Sequence, residues 1–408
     1  MTPIMLYTIT LCTMLLLCVV QKKGILGTIL VLSYGIIAVF ALFVADKEVL
    51  LYSKIINSSY LNYGTVLFLL VSCFLFFSPF LTDRSIFNSS KMEFAINGNF
   101  ILFAKIYIVM LIVSIFIYLP RVLSVFQSGA WAANLASFVS GDTTWAYGNI
   151  IEKLIVNFTG YFTVFGLILA FSLLQHSRNK KTGVHLLILL IIHEVFRDTY
   201  LSARGILVEF VLLLLALYLF FYPDIDKRTK RVIIIVSISI AVIVISYLIA
   251  VTISRFSSAA QNSVIYYLGQ PPFIFGLETQ EINSPMLGRF AFGVLFGDDK
   301  FPLEMSNWVH GFYMFFGWLY ADWSFIGVII IGFFWKFYLG KLIRKRSLAL
   351  PEIYIIFTCY NLLLQGTFTI GRSKCYEIIS YFFIYWLLII LTKVSFNYGG
   401  RKLTRLKI

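Results

Sequence analysis

The sequence predicts an all-α, polytopic integral membrane protein of about eleven transmembrane helices, with its N-terminus outside and its C-terminus cytoplasmic. Three observations carry that expectation. Apolar runs of spanning length recur along the whole chain. Only 13% of the 408 residues are charged, where a soluble protein carries roughly 25%. The basic residues gather in alternate loops between the runs.

A helix crosses the hydrocarbon layer with about 20 apolar residues. Such runs lie at 4–20, 25–45, 60–81, 100–119, 151–174, 184–200, 205–222, 232–253, 314–340, 352–370 and 377–392. The sixth is short and ends in charges; the ninth is long enough to begin as an interfacial segment. The first run ends in Gln21-Lys22-Lys23, with no basic region before it and no cleavage site after it. It reads as a retained helix, not a removed signal. The runs make one polytopic domain, 1–408, with long outer loops at 120–150 and 254–313. The second loop is too apolar for a linker. Its stretches 265–272 and 290–296 predict short segments lying along the membrane face.

Orientation follows from the loops. Those at 21–24, 82–99, 175–183, 223–231, 341–351 and 393–408 hold 20 Lys and Arg. Those at 46–59, 120–150, 197–204, 254–313 and 371–376 hold 10, with more loop sequence. The first set is therefore cytoplasmic. The net charge of +14 is explained by this orientation and by a basic, membrane-surface tail, so nucleic acid is not an expected partner. The five cysteines show neither a disulfide framework nor zinc spacing. Neither a Walker motif nor a Rossmann fingerprint is present, which argues against a cytoplasmic nucleotide or nucleotide-sugar site.

Ionisable residues near membrane depth carry the functional expectation. The richest stretch runs from His193 and Glu194 through Arg197 and Asp198 to Arg204 and Gly205. Arg197 and Arg204 are seven apart and would share a helix face. Two guanidinium groups suit a phosphate or pyrophosphate, since the planar fork bonds two oxygens and stays charged. The plainer reading pairs Arg197 with Asp198 or Glu194 and lets Arg204 snorkel to headgroups. Arg255, Arg289 and Arg372, the last beside Lys374, fall on the same outer side, against the orientation bias. A shared anionic ligand is one reason; headgroups or local carboxylates are the other.

Candidate bases on that side are His310, Asp322, Asp298 and Asp299. Asp322, in Trp318-Leu319-Tyr320-Ala321-Asp322-Trp323, stands before an apolar stretch and could equally cap a helix. His310 could equally be structural. Adjacent Asp298 and Asp299 could bind a divalent metal, a weak signal on two carboxylates alone.

Three stretches together resemble the Wzy-type O-antigen and capsule polymerases of bacterial envelopes. They are Tyr200-Leu201-Ser202-Ala203-Arg204-Gly205, then Ser254-Arg255-Phe256 followed by 266–272, then Gly311-Phe312-Tyr313 running into 316–327. The family has an aromatic and then glycine after the aspartate, whereas Ser324 follows Trp323 here. The resemblance implies a multi-pass protein of the bacterial cytoplasmic (inner) membrane. It implies that undecaprenyl-pyrophosphate-linked oligosaccharide repeat units are joined at the outer face, with arginines holding the pyrophosphate and with no metal or other cofactor. Arg197, Arg204 and Arg255 are the first residues expected in that role, then Arg289 and Arg372. Asp322 or His310 would orient or deprotonate the acceptor. Membrane lipid is the surrounding partner, and a chain-length regulator is the protein partner left open. A ligase using the same donor, or a flippase of lipid-linked oligosaccharide, are the rival readings. A flippase predicts two related halves, which the sequence does not show.

Overall fold

The computed structural model describes residues 1–45, 49–51, 54–56, 58–82, 96–128, 149–175, 179–201, 204–231, 233–235, 268–282, 284–292, 314–367 and 374–393. Their regular structure is helical apart from one short antiparallel hairpin, Val49–Leu51 with Lys54–Ile56, in which Leu50 pairs with Ile55. Among the described residues six helices are long and apolar enough to cross a membrane, or seven if one bent pair counts as a single span. This is the architecture of a helical membrane protein. Most of the apolar run at 232–253 lies outside the described residues.

The chain clusters into two compact units that interleave in sequence. Unit 1 comprises 1–88, 248–345 and 359–378. Helix α1 (Pro3–Val20) starts at Thr2, whose hydroxyl accepts the Met5 N–H, with Pro3 in the first turn where its missing donor costs nothing. It ends in a Schellman turn: Lys22 N–H reaches Val19 O and Lys23 N–H reaches Cys18 O, with Lys22 at φ 51. That turn returns the chain antiparallel into α2 (Ile25–Val44), which packs along α1. Helix α3 (Tyr63–Phe77) is capped by Asn62, whose side chain accepts the Thr65 N–H. The unit's core is aromatic. The ring of Tyr34 lies 4.9 Å from that of Phe77, and its hydroxyl donates to Leu363 O at 3.1 Å.

Two short helices of the long loop also belong to this unit: α9 (Pro271–Glu281) and the single turn α10 (Arg289–Phe292). They meet α11 (Phe315–Ile343), which packs on α3 where Gly332 admits Phe76 and Leu75. Helix α11 is broken at Ser324, whose φ of 55 and ψ of −175 leave the helical region.

Unit 2 comprises 89–247, 346–358 and 379–408. It is built on α4 (Gly98–Ser128), α5 (Ile150–Tyr161), α6 (Thr163–Leu174), α7 (Lys180–Leu201) and α8 (Arg204–Phe221). Helices α5 and α6 form the bent pair, turned by 55° within what the sequence presents as one run. Helix α7 packs on both α4 and α6, and Gly183 brings it against the Ala170 carbonyl. The remaining helices, α12 (Leu350–Gln365) and α13 (Lys374–Lys393), are each shared between the two units.

Candidate functional site

In unit 1 the site builds outward from the break in α11. A helix interrupted at Ser324 frees the carbonyls of the preceding turn, and each buried one needs a donor. The segment before α10 supplies them. Met286 N–H bonds Ala321 O at 2.9 Å and Leu287 N–H bonds Asp322 O at 2.8 Å. The Asp322 side chain adds a third bond, Oδ1 accepting the Phe290 N–H at 2.8 Å. Asp322 is 1% exposed and caps the first turn of α10. The chain can make this tight approach because Leu287 and Gly288 both adopt positive φ, 53 and 87. Of the residues expected at the site, Asp322 and Arg289 are described here. Asp322 holds the turn that Arg289 opens, and the Arg289 side chain is exposed.

Helix α9 lies on the first half of α11. Tyr320 Oη donates to Thr279 O at 3.4 Å, and Glu278 rests on Gly317, where any side chain would collide with its Oε2. Glu278 is 2% exposed, and neither carboxylate oxygen has a hydrogen-bond partner. Burial pushes its carboxyl well above the usual carboxylate range. The sequence reading passed over Glu278. Its only local signal is Pro271-Pro272, a pair suited to open a helix just before it.

Unit 2 holds the second cluster, on α7. Glu194 is 1% exposed and fully engaged. Its Oε1 accepts from Thr163 Oγ1 at 2.8 Å and lies 3.1 Å from His193 Nδ1; its Oε2 accepts from Arg197 at 3.3 Å. His193 Nε2 lies 3.1 Å from Ser114 Oγ, which also receives the Thr159 hydroxyl at 3.2 Å. The guanidinium of Arg197 lies across Gly160, where a Cβ would stand 3.0 Å from it. Of the two pairings open to Arg197, the one made is with Glu194. Asp198, the next residue, is fully buried. Arg121 and Glu152 form a separate ion pair between α4 and α5.

Arg204 opens α8, but its side chain lies outside the described residues. So do Arg255, Asp298, Asp299, His310 and Arg372. Among the described residues no group of three His, Cys, Asp or Glu side chains is placed to hold a metal ion. No family model matches the chain, and no curated protein or solved structure matches it either, so its likeness to the polymerases rests on the three sequence stretches alone.

Proposed function

We propose that the chain is a membrane glycosyltransferase that polymerises lipid-linked oligosaccharide repeat units at the outer face of the bacterial cytoplasmic membrane. The donor is a glycan on undecaprenyl pyrophosphate, and the acceptor is the terminal sugar of a second lipid-linked unit. An acceptor hydroxyl attacks the anomeric carbon of the donor, and polyprenyl pyrophosphate leaves. Charge grows on that leaving group, so preorganised guanidinium groups stabilise the transition state more than the ground state. Arg197, Arg204 and Arg255 are assigned to this role, with Arg289 and Arg372 after them. Asp322 or His310 is assigned to the acceptor. The reading includes eleven spans, with the N-terminus outside and the tail in the cytoplasm.

The observation that carries the reading is the gathering of His193, Glu194, Arg197, Asp198 and Arg204 in one short stretch of a chain that is only 13% charged. The clamp between Asp322 and the α10 turn adds support, because it lies in the stretch most like the polymerase family. The surface glycan of a deletion strain tests the function. Loss of a polymerase leaves one repeat unit per acceptor. Loss of a ligase leaves none, and loss of a flippase strands the unit inside. Either of the last two outcomes replaces this reading. In the same strain Arg204→Ala and Arg255→Ala should fail to restore polymer while the protein reaches the membrane at its normal level. Arg204→Lys should fail largely as well, because an ammonium cannot bond two phosphate oxygens as a guanidinium does.

A further inference from the structure

Asp322, the carboxylate the sequence favours for accepting a proton, is already occupied. Its Oδ1 holds Phe290 N–H, its own carbonyl holds Leu287 N–H, and its burial is that of a structural cap. Glu278 presents the opposite case. Both of its oxygens are buried without a hydrogen bond. The turn 58–60, which brings Tyr60, and the strand Lys54–Ile56, which brings Lys54, also pack on α9. Helices α2 and α3 contain no Asp, Glu, Lys or Arg, and Asp322 is the only such residue in 315–323. The titratable group beside it on α11 is Tyr320. An unpaired buried carboxyl costs stability that packing alone does not explain. Such groups cluster where proton transfer is done.

The placement is also deliberate in its packing. Helix α9 is fixed away from α11, on the turn at 58–60: Gly276 lies against the Tyr60 carbonyl, and Gln280 Nε2 donates to Tyr60 O at 3.0 Å. Thr279 Oγ1 and Thr65 Oγ1 add a contact of 3.3 Å. On the α11 side the carboxylate meets the bare backbone of Gly317. Trp318, the next residue, has a buried indole N–H that also lacks an acceptor. The half-helix 315–323 ends at the break at Ser324, and its first residue is held by the Phe315 N–H on Gly366 O at 3.0 Å and by the Phe315 ring 5.9 Å from that of Trp335.

Building on the polymerase reading, we propose that Glu278 is the group that binds the acceptor sugar hydroxyl and takes its proton, reached when the half-helix 315–323 moves off α9. As the hydroxyl oxygen bonds to the donor anomeric carbon, the bond from that carbon to the pyrophosphate oxygen breaks, and its electron pair leaves with the polyprenyl pyrophosphate. The hydroxyl proton passes to the Glu278 carboxylate and from there to water. Asp322 then keeps a positioning role, holding the α10 turn against the half-helix. A base with a carboxyl raised by burial works best toward neutral pH, where its ionised fraction and its basicity balance.

The test uses the purified full-length protein in lipid nanodiscs with undecaprenyl-pyrophosphate-linked repeat units. Glu278→Gln should lower polymer formation by roughly a hundredfold or more while leaving binding of the lipid-linked donor unchanged. Glu278→Asp should keep more activity than Glu278→Gln. The wild-type rate should climb as pH rises above the ordinary carboxylate range, and Glu278→Gln should lose that climb. An active wild type with an equally active Glu278→Gln variant overturns this assignment alone. A wild type that makes no polymer overturns the polymerase reading and this assignment with it. If Glu278→Gln does not accumulate, dicyclohexylcarbodiimide treatment of the wild type decides, since it modifies protonated carboxyls in apolar surroundings. Activity lost in step with the Glu278 adduct supports the assignment. Full activity with Glu278 modified, or no adduct at Glu278, overturns it.

Discussion

The Phe290 N–H and the Asp322 carboxylate stand 2.8 Å apart, and through that bond a single aspartate fixes a turn 32 residues earlier in the chain. Asparagine keeps an acceptor oxygen at that position, whereas alanine leaves the Phe290 donor buried and bare. Asp322→Asn should therefore cost less than about 1 kcal/mol of stability, and Asp322→Ala about 1–3 kcal/mol. Thermal unfolding of both variants in detergent measures the difference. Near-normal polymer from Asp322→Asn is expected if Glu278 takes the proton. A loss of roughly a hundredfold, with the fold intact, would return that role to Asp322.

Ser324 is one of three non-glycine residues at positive φ among the described residues of unit 1, beside Lys22 and Leu287. Its φ of 55 with ψ of −175 falls in a region that glycine occupies freely and other residues do not. Ser324→Gly should raise the unfolding free energy by about 1 kcal/mol, and Ser324→Val should lower it. A drop in stability for the glycine variant would mean that the serine side chain contributes more than the backbone loses.

Glu194 and Arg197 should behave as a coupled pair. Arg197→Ala leaves a buried carboxylate with only neutral partners or His193, so it should cost about 3–5 kcal/mol. The double variant Glu194→Gln with Arg197→Gln should recover a large part of that loss, because no charge is then left unpaired. A double-mutant cycle on thermal or denaturant unfolding reads the coupling. Additive losses would show that the 3.3 Å contact contributes little.

Reporter fusions test the orientation. Fusions after 228 or 345 should read cytoplasmic, and fusions near 135 or 285 should read external, following the 20 to 10 split of basic residues. An external reading at 228 would place Glu278 and Asp322 on the wrong face for an extracytoplasmic donor.

Spans and breaks differ in how far the sequence reveals them. Helices α1, α2, α4, α8 and α13 follow from runs of apolar residues, because in lipid the length of the run sets the element. The bend between α5 and α6 has no proline to announce it, and Tyr161 to Thr163 reads as part of one run. The break at Ser324 is hidden in the same way, because a serine does not announce a backbone conformation that glycine ordinarily takes. Arg197 offered two partners within three residues, and only the geometry of α7 selects Glu194. Glu278 was the least legible. Its burial depends on Gly317, 39 positions later, and a carboxylate in a loop ordinarily reads as solvated.

The break in α11 also sets a depth. Beyond Ser324 about 19 residues remain to Ile343, and at 1.5 Å each they rise roughly 28 Å, close to the thickness of the hydrocarbon layer. Phe325, Ile326, Ile330, Phe333, Phe334 and Phe337 are exposed along that stretch, as side chains bathed in acyl tails should be. The piece before the break folds back beside that span, with the Phe315 ring 5.9 Å from that of Trp335, and its last carbonyls take the backbone N–H groups of 286–287, donors that lipid could not supply.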